Sequence, residues 1–132
     1  MQSSMKILRL YKNLLDLAST EFKVVVESGE IFYTQSNEPW KLRLHLCDAS
    51  FLDIYYSVNG KYSYHWDRRP EIDKIYRHDN APHMKWKNVS SFPKHFHSGS
   101  ENVVLPSHIS DDPEQALREF LNFILKHILT EQ

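Results

Sequence analysis

Alternating apolar and polar residues in the middle of the chain constrain its fold most. Every second residue of Trp40–Leu46 is apolar, and the alternation recurs in Leu52–Val58 and Tyr62–Trp66. Because successive side chains of a strand point to opposite faces, each run predicts a strand with one buried face. Asn59-Gly60 joins two of these runs with the residue pair favoured in a two-residue hairpin turn. The pattern therefore predicts consecutive antiparallel strands.

Two helices are predicted to flank these strands. Apolar residues recur at helical spacing from Ile7 to Ala18. A second helix is predicted from Asp112, a capping residue followed by a proline and, three residues on, by a glutamine. Further short strands are predicted at Glu21–Val26, Ile31–Thr34 and Lys74–His78, with a turn at Ser28-Gly29 between the first two. We expect one α+β domain over residues 1–132, with an antiparallel sheet of about five strands and N- and C-terminal helices.

Composition excludes several classes of protein. Three glycines are too few for a glycine-rich phosphate-binding loop. The single cysteine, Cys47, excludes an intramolecular disulfide and a cysteine-based zinc cluster. No apolar run approaches the roughly 18 residues of a membrane span, and the N-terminus does not resemble a secretory signal. We therefore expect a cytoplasmic protein that does not bind membranes.

Basic, aromatic and histidine residues are concentrated in one stretch, Lys61–His97. It carries eight basic and four acidic residues, so its formal charge is +4, whereas the remainder of the chain carries −5. Five of the eight histidines also lie there. Such asymmetry favours an anionic partner. Residues 79–106 are predicted to form a long loop, and long loops in compact domains are often functional.

A metal site is one interpretation of the histidines. If Phe92–His97 is extended, Phe92 and Phe96 are buried, and His95 and His97 are exposed together on the other face. His83 or Asp79 could then complete a site of three ligands and a water. However, short His-x-His pairs often arise by chance, and residues 74–100 include no glutamate that could serve as a base.

Metal-independent cleavage of RNA is the interpretation that we favour, and it requires no cofactor. The reaction needs a base for the 2′-hydroxyl, an acid for the leaving oxygen and a cation for the charge on phosphorus. Histidine suits both proton roles because its pKa is about 6.5. Basic side chains hold phosphate, and aromatic rings stack on unpaired bases. The candidate catalytic residues are His65, Arg77, Asp79, His83, His95 and His97. The candidate RNA-binding residues are Lys94, Trp66, Trp86 and Tyr62.

A non-enzymatic binding protein is the alternative. In that case the basic, aromatic stretch of residues 61–97 docks a protein partner or nucleic acid, and Arg77 and Asp79 form a structural ion pair. A homodimer is a further expectation, because Phe123 and Leu125 make the apolar stripe of the C-terminal helix wider than one sheet face requires.

Three motifs follow one another in the chain, YSYHWD (Tyr62–Asp67), YRHDNAPH (Tyr76–His83) and FPKHFH (Phe92–His97). In this order they resemble the TumE-type family of toxins from prokaryotic toxin–antitoxin modules. The likeness extends from Glu21 to about Ile109. It implies a growth-inhibiting toxin that acts on RNA and is neutralised by a cognate antitoxin.

The resemblance also bears on the fold and on two site positions. The order of helix and antiparallel sheet looks like the RelE-like and barnase-like ribonucleases, which is an analogy of fold. Met84 stands where the family often has a second histidine, and Phe96 interrupts a run of basic residues typical of the family. If either position needs a basic residue, the activity that the family implies would be weakened or lost here.

Overall fold

A seven-stranded antiparallel sheet is the frame of the molecule. The computed structural model describes residues 2–131. In chain order its elements are α1 (Gln2–Glu21), β1 (Val26–Tyr33), β2 (Pro39–Leu46), β3 (Phe51–Tyr56), β4 (Tyr62–Asp67), β5 (Ile75–Asp79), a 3-10 turn (Met84–Trp86), β6 (His95–Gly99), β7 (Val104–Pro106) and α2 (Pro113–Thr130). Each strand pairs with its sequence neighbour, so the strand order is β1 to β7. The predicted α+β architecture is confirmed, with seven strands rather than five.

The hydrophobic core lies between one face of the sheet and the two helices. The inward residues of β2 to β4 are the alternating apolar residues of the sequence, and they include the buried Leu44, Ile54 and Trp66. Tyr11 of α1 and Phe120 of α2 are buried against them. Strands in which every second residue is apolar therefore pack against helices whose apolar residues recur about every 3.6 positions, as binary patterning requires.

The first strand differs from its prediction. Residues Glu21–Val26 are not a strand, because α1 continues to Glu21 and a turn follows before Val26. Ser28-Gly29 does not turn the chain either, since β1 runs through it opposite β2. A Cβ atom on Gly29 would lie 2.3 Å from Cδ1 of Leu15. The glycine thus allows α1 to approach the sheet closely, instead of forming a turn.

The region predicted as one long loop contains two strands. β6 and β7 lie within residues 79–106 and extend the sheet beyond β5. They are only five and three residues long, and prolines interrupt the surrounding sequence, so no clear alternation marks them. The orientation of β5, which the sequence left open, is also decided. Tyr76 and His78 face the helices, in contact with Phe123 and Phe120 respectively.

The second helix begins as predicted, and its wide apolar stripe packs against the sheet of the same chain. The Asp112 carboxylate accepts a hydrogen bond from the Gln115 amide at 3.0 Å, and Pro113 is the first helical residue. Phe123 packs edge-on against Trp66 and Phe96 of the sheet. The breadth of the stripe is thus partly explained by contacts inside one chain, without a second copy. Among the described residues, neither helix combines a bilayer-spanning length with enough apolar character to cross a membrane.

We expect Trp66→Ala to lower the free energy of unfolding by about 3–5 kcal/mol. The Trp66 ring is fully buried, stacks on Tyr76 with 5.1 Å between ring centroids, and donates a hydrogen bond to Ser50 at 2.8 Å. Urea denaturation measures the effect. Trp40→Ala is the matched control, because Trp40 is 48% exposed, and its effect should stay below about 1 kcal/mol. Equal effects of the two substitutions would contradict this account of the core.

Candidate functional site

Charged and polar side chains form a row across the sheet face that lies opposite the helices. Directly opposed residues of antiparallel strands share a face. Strand register therefore aligns Glu30, Arg43, Asp53, His65, Arg77 and His97 from β1 to β6. In a neighbouring row, Asp79 of β5 is opposite His95 of β6. The sheet thus aligns in one row residues that are up to 67 positions apart in this sequence.

The β2–β3 part of this row is a closed ion-pair network. Arg43 donates two hydrogen bonds to Asp53, at 2.7 and 2.9 Å, and Lys41 donates a third at 2.9 Å. Burial alone would raise the pKa of Asp53, but the two cations outweigh it and lower that pKa. Lys41 and Arg43 thus share one carboxylate, so the three groups keep a net charge of one cation while each is engaged in an ion pair.

Asp79, His95 and His97 form a buried cluster at the β5–β6 end. One potential ligand atom from each residue lies within 4.8 Å of the other two. Asp79 Oδ1 is 3.0 Å from His95 Nε2 and also accepts from the Ala81 amide, while Oδ2 accepts from Arg77 Nε at 2.9 Å. The exposed fraction of Asp79 is 8%, and those of the two histidines are 1% and 2%.

The ring nitrogens of the two histidines have different surroundings. His95 Nδ1 lies 3.0 Å from the Pro93 carbonyl and His95 Nε2 lies 3.0 Å from Asp79. A carbonyl oxygen only accepts, so His95 Nδ1 is the donor to Pro93, and Nε2 is the nitrogen that faces the carboxylate. His97 Nδ1 donates to the Glu101 carbonyl at 3.0 Å, and its buried Nε2 has no hydrogen-bond partner among residues 2–131.

Local electrostatics favour the neutral form of His97. Burial lowers the pKa of His97, and the neighbouring Arg77 guanidinium lowers it further. The same two causes lower the pKa of His65, whose Nε2 is also buried without a partner in the described part of the chain. The His95 and His97 ring centroids are 5.0 Å apart. A histidine that faces a carboxylate therefore lies beside a histidine whose neutral form is favoured.

Arg77 connects the cluster to Glu101, a residue that the sequence did not single out. Its Nη1 donates to Glu101 at 2.6 Å while its Nε donates to Asp79, which realises the ion pair considered from the sequence. Burial would raise the pKa of Glu101, but the hydrogen bond and charge of Arg77 lower it. Glu101 lies in the turn between β6 and β7, four residues after His97. Only a correct assignment of these two strands could have indicated that Glu101 lies near the cluster.

Residues 82–90, here called the covering segment, place the Trp86 side chain against the cluster. The Trp86 ring is 6.1 Å from the His95 ring and 5.7 Å from the His97 ring, between centroids. His95 and His97 share one face as predicted, but the prediction that they are exposed is wrong. Strand periodicity indicates which residues share a face, whereas the path of a loop decides whether that face is covered.

The remaining candidate residues lie elsewhere. His83 is exposed on the covering segment and is not part of the cluster. Lys94 donates to the Ile109 carbonyl and lies 3.2 Å from Asp111. Tyr62 and Trp66 are buried on the helix face of the sheet, so neither ring can stack on a base in this conformation. Of the four aromatic and basic candidates for RNA contact, Trp86 alone adjoins the cluster.

Comparison with known proteins relates the chain to a protein family. A family model described as "Toxin TumE" matches residues 13–128. No curated protein and no solved structure matches the chain. The matched range begins within α1, ends within α2 and includes every residue of the cluster.

We expect Asp79→Asn to lower the free energy of unfolding by about 3 kcal/mol, because the amide leaves a buried donor of Arg77 or His95 without an acceptor. Asp111→Asn is the matched control, since the Asp111 side chain is 85% exposed, and its effect should be below about 0.5 kcal/mol. Chemical denaturation of both variants measures the difference. A loss at Asp79 no larger than that at Asp111 would show that the cluster does not depend on this carboxylate.

Proposed function

The chain belongs to the TumE toxin family, and we propose that it is the growth-inhibiting toxin of a toxin–antitoxin pair and a metal-independent endoribonuclease. The family implies an antitoxin as its protein partner. RNA as substrate would place its action in the cytoplasm. The observation that supports the enzymatic part is the pairing of two buried histidines: among the described residues, His97 lacks a partner on Nε2, and the Nε2 of His95 faces the Asp79 carboxylate.

The proposed reaction is an internal transfer at phosphorus. His97 Nε2 removes the proton of a 2′-hydroxyl, and the resulting oxygen attacks the adjacent phosphorus. The bond from phosphorus to the 5′ oxygen breaks, and His95 gives that oxygen its Nε2 proton. The products are a 2′,3′-cyclic phosphate and a 5′-hydroxyl. A positioned acid or base of this kind contributes about 100- to 10,000-fold to a rate.

The neighbouring residues have supporting roles in this mechanism. Asp79 orients His95 and stabilises its second proton, as a carboxylate beside a histidine does in other acid–base sites. Arg77 contacts Asp79 and lies opposite His97, and it supplies positive charge for the developing phosphorane. Its two carboxylate partners, Asp79 and Glu101, fix the guanidinium in position. His65 is the next residue in the row and borders Arg77.

Access to the cluster requires the covering segment to move. Its backbone hydrogen bonds connect near neighbours, as from Trp86 to His83 and from Val89 to Trp86. Among the described residues, no hydrogen bond joins residues 82–90 to a strand. The segment carries Lys85 and Lys87 and no acid, so an RNA backbone attracts it. Once displaced, Trp86 can stack on an unpaired base.

We expect His97→Gln and His95→Gln each to reduce RNA cleavage by at least about 100-fold, because each removes one proton-transfer group. Growth inhibition in a bacterial host should be lost in parallel. RNA ends mapped after induction and cleavage by EDTA-treated purified protein measure the effect, with circular dichroism as the check on folding. His108→Ala, which alters an exposed histidine outside the cluster, should retain full activity.

Three results would contradict this proposal in different ways. Growth arrest with intact RNA would retain the toxin and reject the ribonuclease. Cleavage that disappears with EDTA would reject the metal-independent mechanism. Neither arrest nor cleavage would favour the non-enzymatic binding protein in which residues 61–97 dock a partner.

We expect backbone amides of the covering segment to exchange with deuterium at least about tenfold faster than those of β4, since locally bonded segments open at lower free energy than a central strand. Hydrogen-exchange mass spectrometry resolves the Trp86 peptide from the Tyr64 peptide. Equal protection of the two would mean that the segment does not open and that RNA cannot reach the histidines.

A further inference from the structure

The donor atoms of the cluster converge as metal ligands do. Asp79, His95 and His97 each offer one atom within 4.8 Å of the others, and the Asp79 and His95 atoms are 3.0 Å apart. A tetrahedral zinc ion with bonds of about 2.0–2.2 Å holds its ligand atoms about 3.3–3.6 Å apart. Small rotations of the side chains would therefore bring all three into coordinating range.

The outer hydrogen bonds of the cluster match those of metal-binding histidines. Such histidines donate their second ring N–H to a carbonyl or carboxylate, which orients the ring. His95 does so through Nδ1 to Pro93, and His97 through Nδ1 to Glu101. Asp79 is held by Arg77 and by the Ala81 amide. All three potential ligands are thus oriented by neighbours before any ion arrives.

The unpartnered nitrogen of His97 is independent evidence for a ligand. The His97 side chain is 3% exposed, and its Nε2 has no hydrogen-bond partner among the residues that the structure describes. Buried polar atoms are nearly always satisfied, so a native exception calls for a role. Since Nδ1 is engaged by Glu101, Nε2 is the nitrogen that remains for the cluster.

We propose that Asp79, His95 and His97 bind one divalent transition-metal ion of the Zn²⁺ class, and that this ion inhibits RNA cleavage. Two imidazoles and one carboxylate suit Zn²⁺ and its neighbours rather than Mg²⁺ or Ca²⁺, which prefer oxygen. A water molecule takes the fourth position. The ion occupies His97 Nε2 and replaces the proton between His95 and Asp79, so neither proton transfer can occur. The proposed metal binding does not depend on the proposed function, whereas the proposed inhibition rests on it.

The experiment uses the full chain after EDTA treatment and removal of the chelator. Calorimetric titration with Zn²⁺ should give one ion per chain, and Co²⁺ should give the visible absorption of a four-coordinate site. In wild-type protein, Zn²⁺ should shift the Nε2 nuclear magnetic resonances of His95 and His97, a readout that requires no variant to fold. Millimolar Mg²⁺ should produce neither signal.

Substitutions then assign the site. His97→Gln should weaken Zn²⁺ binding by at least about 100-fold, since loss of a ligand costs at least as much as loss of an outer partner. His108→Ala should leave the affinity unchanged. Zn²⁺ that shifts only exposed histidines, such as His83 and His108, would overturn the site, and so would the absence of binding.

The two proposals fail separately. Cleavage in EDTA that one equivalent of Zn²⁺ abolishes supports both. Cleavage that persists with Zn²⁺ bound at His95 and His97 overturns inhibition and leaves the binding site. Zn²⁺ binding in a protein that never cleaves RNA supports the site and rejects the ribonuclease.

Discussion

The register between β5 and β6 is the constraint on which the candidate site depends. It places Asp79 opposite His95 and Arg77 opposite His97, at the short separations of cross-strand neighbours. A slip of one residue would turn both histidines toward the helices and Phe96 away from them. Phe96 opposes such a slip, because its ring lies on the helix face, stacked on His78 and Tyr76. The core thus fixes the site from the opposite face of the sheet.

The cluster is costly to bury, and its neighbours offset most of that cost. Arg77 and the Ala81 amide satisfy Asp79, while two carbonyl groups satisfy the Nδ1 atoms of the histidines. A polar network with every member bonded is stable in a protein interior, and an unbonded member is an expensive exception. That exception is His97 Nε2. The proposed proton transfer and the proposed metal site both depend on this one atom, which makes them exclusive of each other.

Residues with strong local patterns were predictable. Alternation and Asn59-Gly60 predicted β2 to β4, and Asp112 with Pro113 predicted the start of α2, because these signals act over a few residues. The strand predicted at Glu21–Val26 was wrong. Its apolar residues are typical of a strand, but α1 extends to Glu21 and β1 begins only at Val26. β6 and β7 were missed because a strand of three to five residues is stabilised by its neighbours in the sheet more than by its own composition.

The sequence by itself determined which chemical groups are available and that His95 and His97 share one face if Phe92–His97 is extended, because side chains of an extended chain alternate with a period of two. Only the tertiary structure decided that this segment is a strand and that its face is closed. The Trp86 ring lies beside both histidines, on a segment that no local pattern places there. It likewise decided that Glu101 joins Arg77 and that Lys94 is engaged elsewhere. Hydrogen-bond partners and burial arise from packing in three dimensions, which no local pattern encodes.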